Sequence, residues 1–135
     1  MYDPFVVVIA AIAQIAIGSF WYSPAGFGNI WIKEMKFTIK DMEKAKAKGM
    51  GKTYLAAFVG AILTAFVVSK LVLWTNATTW MLGAQIGVFA WLGFAVPMLL
   101  GNVLWEGKSM KLFMIGIAYH LVSLAVVGAI AGALV

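Results

Sequence analysis

His120 is the one histidine of the chain, and it falls inside an otherwise apolar run. Tyr119 and Ser123 lie beside it and form a small polar cluster. An imidazole in such surroundings is a functional candidate by default, or a neutral hydrogen bonder between helices. Other polar groups recur along the apolar stretches: Gln14, Tyr22, Ser23, Asn29, Gln85, Asn102 and Glu106. They outline a candidate polar interior, from Gln14 and Gln85 through His120, Tyr22 and Ser23 to Asn29, Asn102 and Glu106. Cysteine is absent, which excludes thiol catalysis, disulfides and thiolate metal sites. One histidine and five carboxylates leave little for a metal cluster. No serine triad, HExxH pair, phosphate loop or deaminase motif is present. These residues therefore nominate a polar interior that binds or conducts, with no catalytic residue, no metal ligand and no cofactor, and the reading leans away from an enzyme.

The elements that must position these groups follow from composition. Of the 135 residues 64% are hydrophobic and 11% charged, against about 25% charged in a soluble domain. A soluble chain of this size leaves about 30% of its unfolded surface exposed, so it could not hide that much apolar area. The solvent must be a bilayer, and the fold class is an all-α integral membrane protein. Four segments reach the roughly 20 residues that span the hydrocarbon. They are expected over about 4–31, 53–74, 79–105 and 111–135, the first kinked near Pro24 and the third near Pro97. Barrel strands would alternate in polarity, and these runs do not. The first segment has no basic flank and no clear cleavage site, so it is expected to stay as a helix, with Asp3 as its cap and Pro4 at its first position.

All ten cations are lysines. Without arginine there is no bidentate recognition of phosphate, so lipid headgroups are the expected anionic partner and nucleic acid is not. Seven lysines from Lys33 to Lys52 lie between the first two segments and Lys108 and Lys111 between the last two; Lys70 is the sole exception, one turn from Trp74, where its stem can snorkel to the interface. The positive-inside rule then places residues 32–53 and 106–111 in the cytoplasm and both termini outside, in a multi-pass protein of the plasma membrane. Within the first basic loop, Thr38 and Asp41 have the spacing of a capping box, and Gly49 and Gly51 end the segment. This predicts a short amphipathic helix on the anionic inner leaflet, with a solvated lysine loop as the alternative.

Two stretches echo each other. PAGFGNIW (24–31) and PMLLGNVLW (97–105) share Pro-x-x-x-Gly-Asn, and the segments from Lys52 and Lys111 also align. The expectation is a tandem repeat of a two-helix unit, with Pro24 and Pro97 equivalent about an axis along the membrane normal. Each proline would free a carbonyl one turn earlier, at Phe20 and Gly93, with Ser19, Tyr22 and Ser23 as local donors. The same features also fit a kink and close helix packing with no ligand.

The stretch WYSPAGFGNIW (21–31), followed by a basic loop and by Glu106-Gly107-Lys108-Ser109 before the last segment, resembles the small membrane-protein family known as domain of unknown function 1761. The resemblance covers nearly the whole chain and implies four helices and no established activity. Lys108 stands where arginine is often found in that family. Two function classes remain open. One is a small transporter or channel for a solute or ion, as a homodimer, because four short helices seldom enclose a path alone. The other is a non-catalytic membrane subunit or structural protein. Ala125, Gly128, Ala129 and Gly132 form a shallow groove that suits either a second copy or the second segment.

Overall fold

The computed structural model describes residues 4–49 and 51–134, and these contain helices and turns but no strand. The helices are α1 (Pro4–Trp21), α2 (Gly28–Met35), α3 (Ile39–Lys48), α4 (Gly51–Trp74), α5 (Trp80–Ala90), α6 (Val96–Glu106) and α7 (Met110–Leu134). A π-helical turn, Trp91–Ala95, joins α5 to α6 in one rod. The cap proposed at Asp3 lies outside the described residues. Four helices are long and apolar enough to cross a membrane: α1, α4, the Trp80–Glu106 rod and α7, of 18, 24, 27 and 25 residues. Large apolar side chains face outward along them, with Leu63 60%, Phe89 69% and Phe94 68% exposed. Water would penalise that surface at about 25 cal/mol per Å², whereas lipid matches it. The chain is a four-helix integral membrane protein.

The bundle has two unlike ends. The uncharged end, so termed because its α4–α5 turn carries no charge although Lys70 of α4 lies one turn away, carries the start of α1, that turn and the end of α7. The basic end carries α2, α3 and the α6–α7 turn. The uncharged half is built from small residues. Val6, Val7, Ala10 and Ala11 of α1 meet Ala65, Val68 and Val72 of α4 and Val127 and Ala131 of α7, all buried. Lipid supplies no hydrophobic push between helices, so this half is held by backbone proximity and dispersion.

The closest approach is between α5 and α7. Gly83 and Gly87 face Gly128 and Gly132, and a methyl group on Gly83 or Gly128 would collide with the other's backbone carbonyl. Gly132 lies equally close to the carbonyl of Thr79. The small-residue groove of α7 is thus filled by the chain's own α5, neither by a second copy nor by the second spanning helix. The reason is complementarity: Gly83 and Gly87 have the same four-residue spacing, so both backbones can close together.

The first span also differs from expectation. It is not a kinked helix over 4–31. It ends at Trp21, and the chain restarts as α2 at Gly28. Pro97, in contrast, sits in the first turn of α6 inside the continuous rod. The preceding π-helical turn absorbs it, with the Val96 N–H donating to the Trp91 carbonyl five residues back. The two prolines therefore occupy unlike structures. Packing is unlike too, since α7 lies broadly against α1 while α5 touches α4 only lightly. A twofold axis would make those two contacts equal.

At the basic end α3 begins with a reciprocal cap. The Asp41 N–H donates to Thr38 Oγ1 at 3.1 Å, and the Thr38 N–H donates to Asp41 Oδ2 at 2.9 Å. These bonds favour the carboxylate and hold the Asp41 carboxyl below its ordinary pKa. Gly49, with φ at 79°, ends the helix.

Candidate functional site

The break after α1 is a folded turn that satisfies its own backbone. The Ser23 N–H and hydroxyl both donate to the Phe20 carbonyl, at 3.1 and 2.6 Å. The Phe27 N–H reaches the Trp21 carbonyl at 2.7 Å, and the Gly28 N–H the Ser23 carbonyl at 3.0 Å. The carbonyl expected to be freed at Phe20 is thereby re-engaged, as a low-dielectric setting demands. Gly26 packs against the carbonyls of Phe20 and Trp21, and Gly28 against those of Tyr22 and Ser23, so side chains at either position would force the turn open.

Aromatic groups fasten this turn to α7. Trp21 donates its indole N–H to the Ile115 carbonyl at 3.2 Å, and from the other side Trp91 donates to the Ile117 carbonyl at 2.7 Å. The Tyr119 hydroxyl reaches the Gln14 carbonyl at a long 3.4 Å. Ring centroids then follow in a chain: Tyr119 to Tyr22 at 5.7 Å, Tyr22 to Trp31 at 5.8 Å, and Trp31 to Phe37 at 5.3 Å. Each pair is edge-on, the geometry that ring quadrupoles prefer.

The α6–α7 turn closes the other side. Gly107 takes a left-handed φ of 70°, which ends α6, and the Lys108 N–H folds back onto the Asn102 carbonyl at 3.0 Å. Ser109 then starts α7 by accepting the Leu112 N–H on its Oγ at 3.1 Å. The Glu-Gly-Lys-Ser stretch is thus a helix stop joined to a helix start, and it leaves Lys108 at the rim of a cavity.

That cavity has a volume of about 250 Å³ and lies between α2, α6 and α7. Tyr22, Trp31, Asn102 and Lys108 supply its polar groups, and Leu99 and Phe113 are among its apolar walls. A second cavity, about 390 Å³, lies between α1 and α4 and is lined by Gln14, Ser19, Tyr22, Tyr54 and Tyr119. Tyr22 lines both. The two stretches that carry the family resemblance, one around Tyr22 and Trp31 and the other around Lys108, are far apart in sequence and meet at the first cavity.

A family model, described as protein of unknown function (DUF1761), matches residues 5–132. The chain belongs to that family. No curated protein and no solved structure matches it.

In this DUF1761 chain the polar residues singled out in the sequence do not stay together. Tyr22 and Asn102 come together at the first cavity, and Tyr22 and Gln14 at the second. The Oε1 of Gln14 is buried without a hydrogen-bond partner among the described residues. Ser23 serves the turn. Gln85, Asn29 and Glu106 are exposed on α5, α2 and the end of α6. His120 is half-buried, its ring 4.9 Å from that of Tyr119, and it lines neither of these cavities. Ser123 is buried in the small-residue half. The residues therefore do not fall on one line from end to end. Trp31, Tyr54 and Lys108 join the cavities without having been chosen as site residues. Trp31 and Lys108 sit in the family-like stretches, and that was the available signal. Phenol, indole, amide and ammonium groups can hold and orient a solute. None of these four is a nucleophile paired with a general base.

Proposed function

We propose that this protein is a membrane carrier that binds a small solute in the cavity at Tyr22. The convergence of Tyr22, Trp31, Asn102 and Lys108 on one cavity, with Tyr22 also walling a second, supports this reading above the others. Irregular backbone at membrane depth is tolerated where it lines a cavity, and carriers use broken helices in this way. Rotation of Tyr22 would join the two spaces. The basic loops face the cytoplasm of a plasma membrane in this reading, and the lysines of α3 rest on anionic lipid. A complete path across the bilayer needs a second copy, because small residues seal the uncharged half. The homodimer interface then lies away from Gly128 and Gly132.

That sealed half favours one other reading, a membrane subunit that binds its solute without moving it. Proteoliposomes separate the two. Loaded with small acids, amines and amides, they should release one class faster than equally loaded protein-free liposomes do. Tyr22→Ala should change that rate about tenfold while the protein stays folded, since a barrier change of about 1.4 kcal/mol is tenfold in rate. Release no faster than from protein-free liposomes for every class would leave the subunit reading standing alone. Orientation is tested by a cysteine at exposed Thr78, which should react with an impermeant thiol reagent from outside, while one at Lys46 should not.

A further inference from the structure

We infer that the ligand of the cavity between α2, α6 and α7 is a small organic anion, with a carboxylate or phosphate head and a compact apolar or aromatic body. The inference rests on the proposed binding role of that cavity and adds its chemical class. Three features carry it. The first is charge. Lys108 is the charged group in the lining, and no carboxylate lines the cavity. Glu34, which could have neutralised it, faces a neighbouring groove and pairs with Lys111 at 3.7 Å. Glu106 is exposed at the end of α6 and is not part of the wall.

The second feature is donor balance. Among the side chains, a phenol hydroxyl, an indole N–H, an amide nitrogen and an ammonium can all donate, while the acceptors are the phenol and amide oxygens. A ligand head rich in lone pairs fits that set, and a cationic head would meet like charge at Lys108. Hydrogen bonds to an ionised acceptor are also the strong ones.

The third feature is shape. Lys108 is exposed at the rim, held by the Gly107 turn, whereas Leu99, Leu112 and Phe113 line the apolar part. The head of the ligand stays at the basic interface, and its body lies along apolar walls. A volume of about 250 Å³ matches one short chain or ring and is far less than a whole two-chain lipid. Anions of this kind reach the site from the aqueous side, or laterally as short single-chain amphiphiles.

Binding to the purified full-length protein in nanodiscs of neutral lipid tests this. The probes are phenylpropionate, phenethyl phosphate, phenylpropionamide and phenylpropylamine, followed by calorimetry. One or both anions should bind, and the amide and the amine should bind at least about tenfold more weakly, equal to about 1.4 kcal/mol. The better anion reports which head the site takes. Lys108→Gln should weaken the anions by about tenfold and leave the amide unchanged, and Lys108→Glu should abolish anion binding. Lys44→Gln, on α3 and outside the cavity, should change nothing, which separates the site from general surface charge. Equal binding of amide and acid, preference for the amine, no binding of either anion at millimolar concentration, or unaltered anion binding by Lys108→Glu would each overturn the inference. Anion binding without flux in proteoliposomes removes the carrier reading and leaves this one intact. Flux of amines alone does the reverse.

Discussion

The two halves of the bundle solve the same problem in opposite ways. At the uncharged end, α5 and α7 meet through Gly83, Gly87, Gly128 and Gly132, and α1, α4 and α7 meet through alanine and valine. Backbones touch, and little space is left. At the basic end, the rings of Trp21, Tyr22, Trp31 and Tyr119 stand between α1, α2 and α7, and indole N–H groups bond to the carbonyls of α7. Small residues give adhesion where lipid offers no driving force. Large rings give spacing, and spacing leaves cavities. One half is the anchor, and the other is the half that has room.

Enlarging a residue of the anchor should have the largest effect. Gly128→Leu should destabilise the fold beyond the roughly 1–3 kcal/mol of ordinary overpacking, because the added atoms meet backbone and not a movable side chain. The check is thermal aggregation in detergent, and the expected result is loss of folded protein rather than a shift from dimer to monomer. Tyr22→Ala, in the spaced half, should leave most of the fold intact. Similar damage from both substitutions would erase the distinction.

A smaller effect is expected at the indole ties. Trp91→Phe removes the donor to the Ile117 carbonyl but keeps most of the ring, and should cost about 1 kcal/mol. Trp21→Phe, at a longer contact, should cost less. Reversible unfolding in mixed micelles can rank the two.

Smaller again is the cap of α3. Thr38→Ala should speed amide exchange within Ile39–Lys48 roughly fivefold and leave α4 and α7 unchanged. The same cap has a pH signature. The folded pKa of Asp41 is depressed, so its contribution is present above the unfolded carboxylate value near 3.8. It is lost as pH falls through the folded value, and exchange in α3 should quicken there. Smallest of all is Lys111→Gln. The Glu34 pair is 3.7 Å long and its lysine side is 74% exposed, so stability should change by less than about 0.5 kcal/mol.

Much of the scaffold was legible because lipid imposes simple rules on sequence. Four apolar runs became four spanning helices, and Thr38 with Asp41 became a capping box. What could not be read was the outcome at each proline. Pro24 is surrounded by Ser23, Gly26 and Gly28, which bond to or pack against nearby carbonyls and favour a turn. Pro97 is flanked by Ala95, Val96, Met98 and Leu99, which hold a helix together through a local π adjustment. The motif matched, but the neighbours decided. The small-residue face of α7 was visible as adhesive, yet spacing alone does not name a partner, and Gly83 with Gly87 carries the same spacing on α5. For the candidate site, type was legible and rotation was not. Gln85 and Asn29 differ from Gln14 and Asn102 only in which way their helices turn them.

The π-helical turn at Trp91–Ala95 has a consequence for the phase of the rod it interrupts. A π turn is one residue more than the α-helix needs, and one residue is about 100° of rotation. Above it, α5 aims Gly83 and Gly87 at α7; below it, α6 aims Asn102 at the first cavity. The extra residue is the offset between those two aims. Keeping every residue but forcing Trp91–Ala95 into plain α-helix would swing Asn102 by about 100° off the cavity wall and leave the glycine seam in place. Removing one residue from the same turn would do the opposite, since the residue lost is the one the π turn absorbs, and both aims would survive.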